Sequence, residues 1–104
     1  GLEFILIGGH ARGQAILRVH TKRGWVILAS DAIHLFEEID KERPFAIFYD
    51  MFVMLEGYRK IGELAGSRDL IVPGHDRIVT DIYPAAGLGL EGQVLKLHEP
   101  PTWS

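Results

Sequence analysis

The sequence contains no cysteine. Disulfides and thiolate metal sites are therefore excluded, any bound metal must be held by His, Asp or Glu, and a cytoplasmic setting is expected. Long apolar runs are missing too. None approaches the roughly 18 residues that a membrane span needs, and no basic segment leads into an apolar stretch at the start, as a signal peptide would. No membrane partner is expected. A basic surplus is also lacking, since 11 Lys and Arg against 14 Asp and Glu leave a net charge of -3. Such a chain has no electrostatic footprint for a phosphate backbone, so nucleic acid is not an expected partner. Finally, there is no initiator methionine: Gly1-Leu2-Glu3 runs straight into Phe4-Ile5-Leu6-Ile7, and the chain is expected to begin inside a larger protein.

What is present is globular in character. The chain has 104 residues, 47% hydrophobic and 24% charged, and its apolar residues come in short runs separated by glycine and charge. That length fits one domain burying about 60 to 70% of its unfolded surface. Residues 3–7 read as a short buried strand ended by Gly8-Gly9. Residues 14–21 alternate Ala15, Leu17 and Val19 against Ile16, Arg18 and His20, the pattern of a strand with one solvated face. Lys22-Arg23-Gly24 supplies a turn into a second, continuously apolar strand at 25–29, which makes a hairpin.

A short helix is expected over 34–42, stopped by Pro44, which disfavours helical geometry at Arg43. A mixed aromatic segment, 44–49, follows. Asp50 is placed to cap a longer helix that carries Met51, Met54, Leu55, Tyr58, Ile61 and Ala65 on its packing side, with Gly66 as its C-cap. Leu70-Ile71-Val72 reads as a further strand. Residues 78–83 form a turn of helix or an irregular piece, 84–92 a loop rich in Gly and Ala, and Val94, Leu95 and Leu97 a last short strand before the Pro100-Pro101 tail. Residues 1–104 are thus one partial domain in which 86–104 is a loose tail with a short strand.

Three residues of ligand type stand out. His10, Asp31 and His75 each follow an apolar strand by a few residues, and each is reached through small residues: Gly8-Gly9, Ala29-Ser30 and Pro73-Gly74. In open α/β sheets ligands bind beyond the carboxyl ends of strands, where loops converge on a rigid base. Two imidazoles and a carboxylate at one such edge suit a metal ion. Singly, each has a plainer reading: a histidine after Gly-Gly is a turn residue, and Asp31 caps the helix that begins near His34. It is the set of three that points to a metal. His20, on a strand face with Arg18 and Lys22, and His98, in the tail, read as solvated.

The same segments resemble the metallo-β-lactamase superfamily. Gly9-His10-Ala11-Arg12-Gly13 is similar to its Gly-His-Thr-x-Gly turn, Ser30-Asp31-Ala32 to its strand-end bridging aspartate, and Pro73-Gly74-His75-Asp76 to its last metal-binding turn, in the family's order. Pro44-Phe45, Tyr49-Asp50 and Glu56-Gly57-Tyr58-Arg59 look like the N-acyl homoserine lactonase branch. The resemblance covers roughly residues 1–85 and implies an α/β fold, the C-terminal half of an αββα sandwich of sheet and flanking helices. It further implies two zinc ions, with iron or manganese accepting the same ligands: His10 on the first metal, Asp31 bridging both and His75 on the second.

On that footing Asp31 and His34 are the catalytic candidates, Asp31 as proton acceptor. His34 either faces the substrate, donating to the lactone carbonyl or positioning the leaving oxygen, or is a solvated surface residue. The implied reaction is hydrolysis of a lactone or ester by a metal-bridging hydroxide; a glyoxalase II-like thioester hydrolase and a degenerate interaction module are the alternatives. Two departures matter. Ala11 replaces the family's Thr or Ser, and the His-x-His-x-Asp-His motif is absent and is expected upstream of Gly1. The missing N-terminal half of the domain is then a partner, and the chain alone is expected to be inactive. It is also expected to self-associate through an uncovered apolar face, as in a homodimer.

Overall fold

The computed structural model describes residues 1–41 and 50–103. The aromatic segment 44–49 and the expected end of the first helix at Glu42 lie outside the described residues. Four strands form one sheet in the order β1 (Leu2–Leu6), β2 (Ala15–Thr21), β3 (Gly24–Ser30), β4 (Ile71–Pro73). β1 and β2 are antiparallel, β2 and β3 form the expected hairpin closed by the pair Thr21 and Gly24, and β4 joins β3 in parallel. It follows that β1, β3 and β4 all run in one direction, and the chain leaves all three at the same edge of the sheet.

Alternation along the strands sends two sets of side chains to opposite faces. On one face Ile16, Ile27, Ala29 and Ile71 pack with Met54, Tyr58, Ile61 and Ala65 of the long helix α2 (Met51–Ala65), and Ile5 and Ile7 border this core. On the other, Val26 and Val72 pack with Phe36 of α1 (Phe36–Asp40) and with Val79, Ile82 and Tyr83 at α3 (Ile78–Ile82). α2 starts and stops where its sequence dictates: the Asp50 carboxylate accepts from the Val53 N–H at 3.1 Å, and Gly66 takes φ 73° at the C-cap.

Three sequence expectations are corrected. β1 is not a buried strand. It is the outer strand of the sheet, no described element covers its far face, and Leu2, Phe4 and Leu6 are 66%, 79% and 66% exposed. The buried side of α2 is narrower than the apolar stripe, because Met51 and Leu55 are exposed while Gly57 turns inward. A Cβ on Gly57 would lie 2.6 Å from Ile7 Cγ2, so the missing side chain is what lets helix and sheet meet there. The last strand shrinks to a single bridge between Ala85 and Leu95. Beyond it the chain is tied down: Arg23 donates to the Leu97 carbonyl, the Thr102 N–H to the Ile82 carbonyl, and Trp103 Nε1 to the Asp69 carboxylate at 2.8 Å.

Candidate metal centre

His10 sits on the turn that follows β1. Gly8 and Gly9 take φ of 73° and 87°, values that an L side chain rarely adopts. The Gly9 carbonyl accepts from the Asp50 N–H at 2.8 Å, and a Cβ on Gly9 would lie 2.6 Å from Met54 Cα. The turn is thus pressed against the first turn of α2, and the two glycines are what make room. Asp31 and His75 follow the parallel neighbours β3 and β4. Their loops are joined by two backbone hydrogen bonds, from Gly74 N–H to Ile33 carbonyl at 2.9 Å and from His75 N–H to His34 carbonyl at 3.0 Å. Gly74 lies so close to the Ser30 backbone that a Cβ there would collide with it, and Ser30 itself takes φ 51°. The Asp76 carboxylate finishes the junction by accepting from the Phe36 and Ile78 N–H groups.

These turns bring four side chains together. Asp31 is at the centre: its Oδ1 lies 2.6 Å from His75 Nε2 and 3.9 Å from His34 Nε2, and its Oδ2 lies 3.7 Å from His10 Nε2. The His34 ring is flanked by the other two imidazoles, edge-on to His10 at 4.9 Å and stacked on His75 at 5.0 Å between centroids. Asp31 does not cap the first helix; that position is served by Glu38, whose Oε1 accepts from the His34 and Leu35 N–H groups at 2.9 and 3.0 Å. The three residues singled out in the sequence therefore meet at one sheet edge. His34 joins them as a buried residue, 5% exposed, which corrects its reading as a solvated surface histidine. His20 and His98 stay exposed and apart.

The electrostatics follow from this crowding. The hydrogen bond from His75 holds the Asp31 carboxyl below the usual carboxylate range, with the charges of His75, His34 and His10 acting the same way. Burial pushes the His34 imidazole down, against an opposing pull from Glu38. Both directions favour the forms that bind a divalent cation, the ionised Asp31 carboxylate and the neutral His34 ring. The spacing is suitable too. Two ligand atoms each about 2.0–2.1 Å from a tetrahedral zinc stand about 3.4 Å apart, and one ligand atom from each of His10, Asp31 and His34 lie within 4.8 Å of one another. The residues fit a divalent metal.

Two participants are not read as site residues from the sequence: Glu38, and Tyr58, which the sequence places on the packing side of the long helix and in a lactonase-like segment. Tyr58 Oη donates to Glu38 Oε2 at 2.5 Å, and Glu38 is only 3% exposed. The available signal was the spacing of His34 and Glu38, which puts them on neighbouring turns of a helix.

A mixed sheet flanked by helices, with His and Asp at the carboxyl ends of its co-directional strands, resembles the metallo-β-lactamase superfamily of hydrolases. Within it the likeness is to N-acyl homoserine lactonases. One solved structure, an N-acyl homoserine lactone hydrolase with N-hexanoyl-L-homoserine bound at its catalytic metal centre, is 28% identical with a TM-score of 0.69 over 78% of this chain and 33% of its own. AiiA from B. thuringiensis with bound N-decanoyl-L-homoserine gives the same values. AidC, a dizinc quorum-quenching lactonase, is similar in fold at 15% identity and a TM-score of 0.58, over 72% of this chain and 26% of its own. No family model and no curated protein matches the chain. The chain thus spans about a third of the length of the first of these lactonases, and the resemblance read from its motifs is borne out by its fold. Among the described residues no helix is long and apolar enough to cross a membrane.

Proposed function

We propose that this chain forms part of a cytoplasmic di-zinc hydrolase that opens N-acyl homoserine lactones, the signals of quorum sensing, or cleaves a related ester. The observation that carries this reading is the meeting of His10, Asp31, His34 and His75 at the one sheet edge to which β1, β3 and β4 all run. Two zinc ions held there would supply Lewis acidity and an activated water. His10 would serve one ion and His75 the other. Among the described residues Asp31 is the one carboxylate in contact with all three imidazoles, two through Oδ1 and one through Oδ2, which suits it to bridge the ions and to accept a proton. His75 now hydrogen-bonds Asp31 at 2.6 Å, closer than two ligands of one ion stand, so it has to swing outward to take an ion of its own; its side chain is 60% exposed and free to do so.

The ligands gathered among the described residues are too few to complete two zinc shells. The remainder would come from a His-x-His-x-Asp-His segment upstream of Gly1, in the part of the domain that completes the pocket. The coding sequence preceding Gly1 tests this. That motif, in the same reading frame, is the expected result; its absence would overturn the enzyme reading in favour of a non-catalytic interaction module. The purified 104-residue chain with added Zn²⁺ is expected to hydrolyse N-hexanoyl homoserine lactone no faster than buffer.

A further inference from the structure

Behind His34, on the side away from Asp31, lies a buried carboxylate. Glu38 Oε1 is 3.5 Å from His34 Nδ1, while His34 Nε2 is the ring nitrogen that faces Asp31. Glu38 is itself fixed from three directions, by the His34 N–H, the Leu35 N–H and the Tyr58 hydroxyl. All of these partners donate, and both oxygens of the carboxylate accept. An ionised carboxylate can only accept, and the ring nitrogen beside it is the one that keeps its hydrogen. His34 Nδ1 is buried and stands 3.5 Å from Glu38 Oε1, an ion-pair contact and not a formed hydrogen bond; a neutral ring that carries its hydrogen on the Glu38 side has its lone pair at Nε2. That lone pair is pointed at the metal centre.

The tautomer separates the roles open to His34. A group that donates to a substrate carbonyl needs Nε2–H; a group with a lone pair there binds a cation. Metal-binding histidines ordinarily give their second ring N–H to a carboxylate or carbonyl, which fixes tautomer and ring orientation and raises basicity. The His34–Glu38 pair has that arrangement at 3.5 Å, and a small closing movement turns the contact into such a hydrogen bond. The spacing agrees: one ligand atom from each of His10, Asp31 and His34 lie within 4.8 Å of one another, while the 2.6 Å between His75 and Asp31 Oδ1 is closer than two ligands of one ion stand. We propose that His34 is a metal ligand in this protein, sharing an ion with His10 and Asp31, and that Glu38, clamped by Tyr58, is the positioning residue that presents its Nε2. This rests on the metal-centre reading above and adds a ligand and its support.

The test uses the full chain, Zn²⁺ as the only probe, and ¹⁵N-labelled histidine. In the free chain the His34 ring is expected to be protonated at Nδ1 alone, and on Zn²⁺ addition its Nε2 resonance is expected to shift while Nδ1–H persists. By calorimetry His34→Ala is expected to weaken Zn²⁺ binding at least as much as His10→Ala. Glu38→Gln should weaken it about 10- to 100-fold, and Tyr58→Phe by less. A purely structural role for Glu38 would lower the melting temperature without touching tautomer or affinity. Should Glu38→Gln fail to fold, the histidine resonances of the unsubstituted chain decide. If binding is lost in His10→Ala and Asp31→Ala but His34→Ala binds at full strength, or if His34 carries its proton on Nε2, this inference is overturned and the metal centre stands. If the unsubstituted chain binds no Zn²⁺, or binds it equally well in Asp31→Ala, both readings fall.

Discussion

His10 and His75 are aimed by glycines that the chain closes on. At Gly74 the Ser30 backbone occupies the place where a Cβ would go, and this contact sets how the ends of β3 and β4 sit together. Gly74→Ala is therefore expected to cost about 1–3 kcal/mol in urea unfolding, the price of overpacking a site whose neighbour is rigid backbone, and to weaken Zn²⁺ binding. Gly13→Ala is the natural control, since a Cβ at Gly13 meets nothing within 4 Å and its φ is not positive; it should change stability by no more than about 0.5 kcal/mol. Equal stability of the two variants would refute the role given to Gly74. The importance of Gly74 was visible in the sequence only as part of Pro73-Gly74-His75, where it reads as a turn former; that it also abuts Ser30 depends on the parallel pairing of β3 with β4.

The elements differ in how far local chemistry determines them. The β2–β3 hairpin and both ends of α2 were legible, because Lys22-Arg23-Gly24, Asp50 and Gly66 act on backbone a few residues away. The burial of β1 was not, because LEFIL looks the same whether or not another element covers it. Nor was the anchoring of the tail, which depends on Arg23 in the hairpin turn reaching the Leu97 carbonyl, the Asp69 carbonyl and the Tyr83 hydroxyl. Burial pushes the Tyr83 phenol above its ordinary value, while Arg23 pulls the other way. A raised folded-state pKa means that the stability associated with the neutral phenol is fully present below the unfolded value of about 10 and is lost as pH rises through the folded value. Stability measured by denaturant between about pH 9 and 11 should therefore fall more steeply in the unsubstituted chain than in Tyr83→Phe. Parallel profiles would show that Tyr83 titrates like an exposed phenol.

For the molecule as a whole, the unequal cover of the two sheet faces is the main feature. Among the described residues α2 seals one face, but on the other α1, α3 and the tail reach only the β3–β4 side, and Leu2, Phe4 and Leu6 stand exposed on the outer strand. Such a face and edge favour association. The purified chain is expected to elute from a sizing column as a concentration-dependent oligomer, and Phe4→Glu to shift it towards monomer; a chain that stays monomeric throughout would count against this. On the proposed reading part of each ion's shell comes from outside this chain, and metal affinity is then expected to be limited. The most direct measurement of the central claim is a calorimetric titration of the chain with Zn²⁺, set beside Asp31→Ala. Weak but saturable binding that disappears in the variant is the predicted result, and binding that is absent from the first or undiminished in the second would contradict it.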